Sequence, residues 1–393
     1  MPNRALHIDQ EALATLSLLK EGLLAPVDKL MTKIEAKEVD KTKIYKGTTF
    51  PFSLILAPSG RKNELTLKTI KENEILDLYC DKKWCGTIRA KEVFEIDKDA
   101  RIKQIYGTSN PEHPGVRSTY KRLGRYAISG DFDVEFKDII EHKNMIKNAI
   151  ENTKAKSISA IMISGKPFHR VHERLIRTAL VKNDLIVLFL LKPYRDDELS
   201  YETRYKTVKY FCDNFLPKDK TVLVPFENTY IFGGFNELIL NAIVANNYGC
   251  NELIIGRGRT GLGAFYEENN SFSSILDTLV GIDININMMS NFVYCDKCAT
   301  LVSTNACPHG SHHHINYHSE SIMELFKMGI MPPAILVRKE ISSIILSDLF
   351  PKRSEKLAKI HQQLSPNSGI LDDFNTTDFY ESLMKLYQTS SLT

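Results

Sequence analysis

Ile158-Ser159-Ala160-Ile161-Met162-Ile163, then Ser164-Gly165, then Lys166-Pro167-Phe168-His169-Arg170-Val171-His172-Glu173, is the stretch from which the fold is read. The first six residues form an apolar run with the length of a buried strand. Beyond the turn, Leu175, Ile176, Ala179 and Leu180 recur at helical spacing. The segment therefore reads as strand, turn and helix. Pro167 suits the first helical position, where its missing N–H costs nothing. His169 and His172, three residues apart, share one face of the first helical turn. Free N–H groups and the positive end of the helix dipole converge at that place, which suits a phosphate. Two imidazoles there can donate to phosphate oxygens as a leaving group departs. A polar helix start without a ligand has the same local pattern, and a short motif does not separate the two.

The same rhythm runs on from this point. Candidate strands at 157–163, 185–191, 221–225 and 252–256 alternate with candidate helices at 169–182, 200–215 and 235–247. That alternation predicts an α/β fold with a parallel, doubly wound sheet. Ligands of such sheets bind at the carboxyl ends of the strands. Gly256-Arg257-Gly258-Arg259-Thr260-Gly261-Leu262-Gly263 follows the fourth strand and would face the same crevice as the histidines. Its glycines allow close backbone approach to an anion, with Arg257 or Arg259 as charge partner. A solvated surface loop is the plain alternative. No G-x-x-x-x-G-K-[ST] sequence is present, so a P-loop kinase is not supported.

The first 140 residues read differently. Short β-type runs at 53–56, 75–79 and 86–88 are separated by turn signals such as Asp81-Lys82-Lys83 and Asn110-Pro111, with helical patches at 11–19 and 26–34. A compact, β-rich domain is expected at 1–145, the doubly wound domain at 146–350, and a helical extension at 351–393. In the extension, helices at 354–363 and 377–387 are joined through Pro366 and Gly369; packing or subunit contact is their expected role, and a homo-oligomer is expected.

The chain has 393 residues, 43% apolar, with a net charge of +3. That length holds two or three packed domains, and the charge gives no reason to expect a nucleic-acid or membrane partner. There is no apolar run of membrane-spanning length, and Met1 to Gln10 lacks the pattern of a secretory signal, so a cytoplasmic protein is expected. Of seven cysteines, three cluster: Cys295-Asp296-Lys297-Cys298, then Cys307-Pro308-His309, with His312, His313 and His314 close behind. C-x-x-C, a third cysteine nine residues on and a histidine make a Cys3His site for a structural zinc, since four protein ligands leave no open position. His309 is the first choice for fourth ligand and His312 the second. Cys80, Cys85, Cys212 and Cys250 stand singly in apolar contexts, as core residues do.

Together these pieces resemble the ATP sulfurylase (sulfate adenylyltransferase) family over almost the whole chain. Tyr106-Gly107-Thr108 and His113-Pro114-Gly115-Val116 match its Y-G-T and H-P-G-V, and Leu24 to Met31 loosely matches its S-P-L-x-G-F-M. The histidine turn matches the end of Q-T-R-N-P-x-H-x-x-H-E. Asn247-Tyr248-Gly249-Cys250, Gly256-Arg257, Tyr294-Cys295-Asp296-Lys297-Cys298, Cys307-Pro308-His309, and Gly329 with Pro332-Pro333 match further motifs in order. The resemblance implies a PUA-like N-terminal domain and a nucleotidyltransferase domain of the HUP type. It implies transfer of AMP from ATP to sulfate, releasing adenosine 5′-phosphosulfate and pyrophosphate, with magnesium accompanying the nucleotide. It carries His169 and His172 over as donors to the transition state and Arg257 as the sulfate-binding cation. Lys166, Gly256 and Arg259 stand beside them on the nucleotide side.

The chain also departs from the family's pattern. Ile163, Gly165 and Lys166 stand where the family has the Gln, Arg and Asn of Q-T-R-N-P, which contact sulfate and nucleotide. G-R-D-H-A-G becomes Gly256-Arg257-Gly258-Arg259-Thr260-Gly261, A-G-P-R-E-A becomes Gly233 to Leu238, and S-G-T-x-x-R becomes His318 to Met323. Two other readings therefore stand beside the first: a nucleotidyltransferase with another acceptor, and a catalytically silent homologue that binds nucleotide, RNA or protein. Against RNA, the first 140 residues carry no dense Lys/Arg stripe interleaved with aromatics.

Overall fold

The computed structural model of the chain describes residues 3–194, 198–234, 236–256, 279–364 and 375–387. Its N-terminal part is a five-stranded sheet in the order β1-β5-β6-β7-β4. These strands are β1 (Arg4–Ile8), β4 (Leu56–Pro58), β5 (Ile75–Cys80), β6 (Lys83–Glu95) and β7 (Leu123–Val134); β2 (Ile44–Tyr45) and β3 (Thr48–Thr49) form a separate small ribbon. Helices α1 (Gln10–Lys20), α2 (Lys33–Thr42), α3 (Arg61–Thr69), α4 (Lys98–Tyr106) and α5 (Pro114–Arg122) lie between the strands. The Asp81-Lys82 turn joins β5 to β6 with both residues at positive φ, as a tight hairpin requires.

Two local expectations fail here for identifiable reasons. The patch at 26–34 is not one helix. Thr32 Oγ1 accepts from the Glu35 N–H and Glu35 returns a carboxylate to the Thr32 N–H (2.9 Å), so this capping box starts α2 at Lys33. Val27, Leu30 and Met31 are instead buried in the segment before it. The run at 53–56 is strand only from Leu56, because the Ser53 N–H is taken by Asp40 Oδ1 at 2.7 Å rather than by a neighbouring strand.

Helix α6 (Lys137–Thr153) leads into a parallel sheet in the order β10-β9-β8-β11-β12. It comprises β8 (Ile158–Ile163), β9 (Leu185–Pro193), β10 (Thr221–Asn228), β11 (Glu252–Gly256) and β12 (Asn285–Met289). Helices α7 (Arg170–Leu180), α8 (Tyr201–Phe215) and α9 (Glu237–Asn247) fill the crossovers, as the alternation predicts. Both sheet faces are covered. Ala160, Val187, Phe189 and Val224 join the core shared with the N-terminal sheet, while Ile161, Ile163, Ile186, Leu188 and Leu190 pack with Phe168, Ile176 and Phe211. Burial on both faces explains why these strands read as continuous apolar runs rather than alternating ones.

A three-stranded antiparallel sheet in the order β14-β13-β15 follows, made of β13 (Phe292–Cys295), β14 (Thr300–Ser303) and β15 (His314–Ile315). The chain then forms α10 (Ser319–Lys327), α11 (Lys339–Leu349), α12 (Ser354–Leu364) and α13 (Thr376–Tyr387). Helix α13 packs on α11 and buries Phe379. Pro366 and Gly369 lie outside the described residues. Among the described residues no helix is long and apolar enough to cross a membrane.

Candidate active site and metal centre

The histidine turn sits at the carboxyl end of β8, the middle strand of the parallel sheet. Gly165 has φ +63, a left-handed conformation that favours glycine, and it turns the chain out of the strand. Arg204, fully buried on α8, donates from Nη1 to the Ser164 carbonyl at 2.6 Å and the Leu191 carbonyl at 3.0 Å. It thereby ties together the carboxyl ends of β8 and β9 just before the turn. Pro167 does not begin the helix as its residue type suggests. It lies in the turn with buried Phe168, and His169 is the N-cap of α7.

The two imidazoles stack with ring centres 3.8 Å apart. The His169 N–H donates to His172 Nδ1 at 3.2 Å. That bond leaves the His172 proton on Nε2, so the ring presents an N–H donor at its outer edge. Phe168 also stacks with His172, with centres 5.4 Å apart. Burial pushes the His172 imidazole down to about 4, and burial, then the neighbouring His172, holds His169 well below the ordinary histidine value. Both rings are therefore neutral donors near pH 7.

Five residues to which sequence reasoning gave no role surround this pair. Glu173 is buried and accepts from Arg338 Nη2 at 2.9 Å and from Arg170 Nη1 at 3.2 Å. Arg338 also lies over the Phe215 ring at 3.7 Å. Arg170 donates from its main chain to the Leu336 carbonyl and from Nε to the Ala334 carbonyl, both at 2.9 Å, clamping the start of α7 to the segment after Pro333. On the third side, Ser319 Oγ lies 3.4 Å from His169 Nε2, and the Tyr317 ring is 5.5 Å from the His169 ring. Glu173 was within the quoted motif, and an acid on the first turn of a helix is a readable signal. Arg338 and Ser319 come from about 150 residues away, and no local spacing announces them.

Lys166 is half-buried in the same turn. Gly256 ends β11, which pairs with β8 in parallel, so it reaches the same edge of the sheet. Among the described residues, a Cβ there would meet nothing within 4 Å. Arg257 and Arg259 lie outside the described residues. A cavity of about 230 Å³ lies elsewhere, lined by His7, Asp9, Asn63, Thr119, Arg122 and Tyr230. Its charged groups satisfy one another, Arg122 with Asp9 and Glu11.

Cys295, Cys298, Cys307 and His309 converge, with their ligand atoms all within 4.8 Å of one another. His309 Nδ1 is 3.4, 3.3 and 3.6 Å from the three sulfurs in turn, and the Cys298 and Cys307 sulfurs are 3.9 Å apart. A tetrahedral ion about 2.3 Å from sulfur and about 2.0–2.1 Å from nitrogen sets its ligands roughly 3.5–3.8 Å apart, so the donor set fits a zinc-like metal. His312 packs against the His313 ring instead, with centres 4.1 Å apart, so His309 is the histidine of the cluster. The other four cysteines are buried or half-buried, and burial pushes their thiols up, to about 11 for Cys85 and about 12 for Cys80, Cys212 and Cys250.

A family model described as ATP-sulfurylase matches residues 137–348, and one described as a PUA-like domain matches residues 2–135. The sulfate adenylyltransferase of Halothermothrix orenii is 25% identical over 361 residues, covering 89% of this chain and 92% of that protein. The sulfate adenylyltransferase of Carboxydothermus hydrogenoformans is 26% identical over 348 residues, covering 84% and 88%. Among solved structures, the hexameric APS kinase from Thiobacillus denitrificans superposes with a TM-score of 0.65 at 16% identity, over 93% of this chain and 64% of that longer one. At that identity the likeness is one of fold.

Proposed function

The chain belongs to the ATP-sulfurylase family, and from that premise we propose that it is a sulfate adenylyltransferase, converting ATP and sulfate to adenosine 5′-phosphosulfate and pyrophosphate. A sulfate oxygen attacks the α-phosphorus. The bond from that phosphorus to the oxygen bridging to the β-phosphate breaks, and pyrophosphate leaves. Sulfate attacks as a dianion, so no proton has to be removed from it. The observation that carries the reading is the stacked, neutral histidine pair at a helix N-terminus on the carboxyl edge of the parallel sheet. Neutral imidazole N–H donors are what this step needs: charge builds on phosphate oxygens, and preorganised donors stabilise it without reorganising.

We assign His169 and His172 to the transferring phosphoryl group, Lys166, Gly256 and Arg259 to the nucleotide, and Arg257 to the acceptor anion. Magnesium would arrive with the nucleotide. Zinc is assigned to Cys295, Cys298, Cys307 and His309 as a structural ion, because all four positions are filled from the protein. The absence of disulfides among the seven cysteines supports a cytoplasmic setting, and a homo-oligomer is the assembly we expect. The test is ATP formation from adenosine 5′-phosphosulfate and pyrophosphate by purified, metal-loaded protein. Activity should fall by about a hundredfold or more in His169→Ala and in His172→Ala, with folding intact. No ATP from folded wild type would overturn the assignment.

One observation favours a second reading, adenylyl transfer to a different acceptor. Ile163 is 3% exposed inside the core and Gly165 has no side chain, so neither supplies the anion contact that the family's Gln and Arg make. Pyrophosphate release from ATP that does not depend on sulfate, but is lost in His172→Ala, would select that reading.

A further inference from the structure

We propose that Ser319 is a positioning residue for His169, and that the Cys3His loop sets Ser319 in place. The catalytic half of this inference rests on the adenylyl-transfer reading; the structural half does not.

Ser319 is the first residue of α10, and its Oγ lies 3.4 Å from His169 Nε2. His169 is buried, stacked on His172 on one face and met by Tyr317 on another. Packing thus sets the ring's plane but leaves the half-turn about Cβ–Cγ, which exchanges Nε2 with Cε1, and a hydrogen bond to Nε2 selects one of the two. A hydroxyl can donate or accept, so Ser319 can hold Nε2 in either tautomer of the neutral ring. The resemblance places a glycine of the S-G-T-x-x-R pattern here, which has no hydroxyl to offer.

Two anchors fix Ser319. From within, Ile322, Met323 and Phe326 on α10 are buried in the same core cluster as Phe168 and Ile176, which flank His169 in the sequence. From outside, β15 pairs with β13 in the register Cys295↔His314, and Cys295 is a member of the metal cluster. From His314 the chain reaches Tyr317, whose hydroxyl donates to the Ile335 carbonyl at 2.5 Å, and then Ser319. The path from the Cys3His cluster to His169 is therefore one strand pairing and five residues of chain. Releasing the cluster frees β13 from β15 and with it the outer anchor of Ser319.

The test uses the full-length, metal-loaded protein with isotopically labelled histidine, each ring resonance assigned by substitution. In Ser319→Ala the imidazole signals of His169 should shift while those of His142 stay. Ser319→Thr, which keeps the hydroxyl, should restore them. Chelation should move the His169 signals of wild type in the same direction, and should move them little further in Ser319→Ala. In turnover, kcat should fall about tenfold to a hundredfold in Ser319→Ala, with the KM for nucleotide within about twofold. Unmoved His169 signals in a folded Ser319→Ala overturn the positioning role. Chelation shifts of equal size with and without the hydroxyl overturn the link to the metal loop. If wild type makes no ATP, the proposed function fails, and the resonance experiment still decides this inference.

Discussion

Replacing Glu173 by alanine should be among the most damaging single changes in the catalytic domain. The carboxylate is 4% exposed and is held by three contacts from Arg338, at 3.0 and 3.1 Å from Nε and 2.9 Å from Nη2, and by Arg170 Nη1 at 3.2 Å. Their side chains are themselves only 17% and 25% exposed. Removing the acid strands two guanidinium groups in a place with little water, and breaking a buried pair from one side costs about 3–5 kcal/mol. A domain with a total stability of roughly 5–15 kcal/mol then loses a large fraction of it. Glu173→Gln keeps an acceptor oxygen and should recover about half. Urea unfolding, followed by a probe confined to the catalytic domain, measures the difference. A double substitution, Glu173→Ala with Arg338→Met, should cost less than the sum of the single ones, because the stranded charge goes with its partner. A loss below about 1 kcal/mol in Glu173→Ala, or strict additivity in the double variant, would refute the reasoning.

Two further predictions concern protons and metal. His142, 7% exposed on α6, and His172 are both pushed by burial from 6.5 to about 4. Above pH 6.5 each ring is neutral in folded and unfolded chains alike and has no effect on stability. As the pH falls through 6.5, the unfolded chain takes up protons that the folded chain refuses, so stability declines until about pH 4 and then levels off, by roughly 3 kcal/mol per ring. The urea midpoint measured between pH 7.5 and 4.5 should show this decline, reduced in His142→Gln, and a flat profile contradicts it. Cys298→Ser should lose the bound metal, read as one equivalent by elemental analysis of wild type and none of the variant, and lower the melting temperature; metal retained at full occupancy contradicts the ligand assignment.

The doubly wound half was legible because its strands are buried on both faces, so apolar runs and helical spacing each point one way. The N-terminal half was less so. There a capping box displaced the start of α2, and an Asp40 side chain took an N–H that would otherwise join a strand. Both are single side-chain contacts with no periodicity to betray them. The histidine pair and the Cys3His cluster were readable since their members are close in sequence. Arg204, Arg338 and Ser319 were not, because each reaches the site from another element, and only the fold brings it there.

The altered turn has a consequence for sulfate that does not extend to the nucleotide. In the family pattern two side chains at the places of Ile163 and Gly165 hold anionic groups, and each such contact is worth about 1.5–3 kcal/mol. Losing both weakens acceptor binding by about 3–6 kcal/mol, a factor of roughly 10² to 10⁴. With His169 and His172 assigned to the transferring phosphoryl group, ATP should still saturate the protein below about 1 mM while the rate stays first order in sulfate beyond about 10 mM. Restoring the family's residues should not cure this. Ile163 is core, and Gln there would bury an amide without partners, at a cost of about 1–3 kcal/mol. Gly165 has φ +63, a conformation that L side chains rarely adopt, so an arginine there is strained before it reaches any anion. The fold has settled around the loss. If the forward rate instead saturates below 1 mM sulfate, the missing contacts have been replaced from elsewhere. Arg257→Ala and Arg259→Ala, measured for the sulfate KM alone, would then show which residue replaced them.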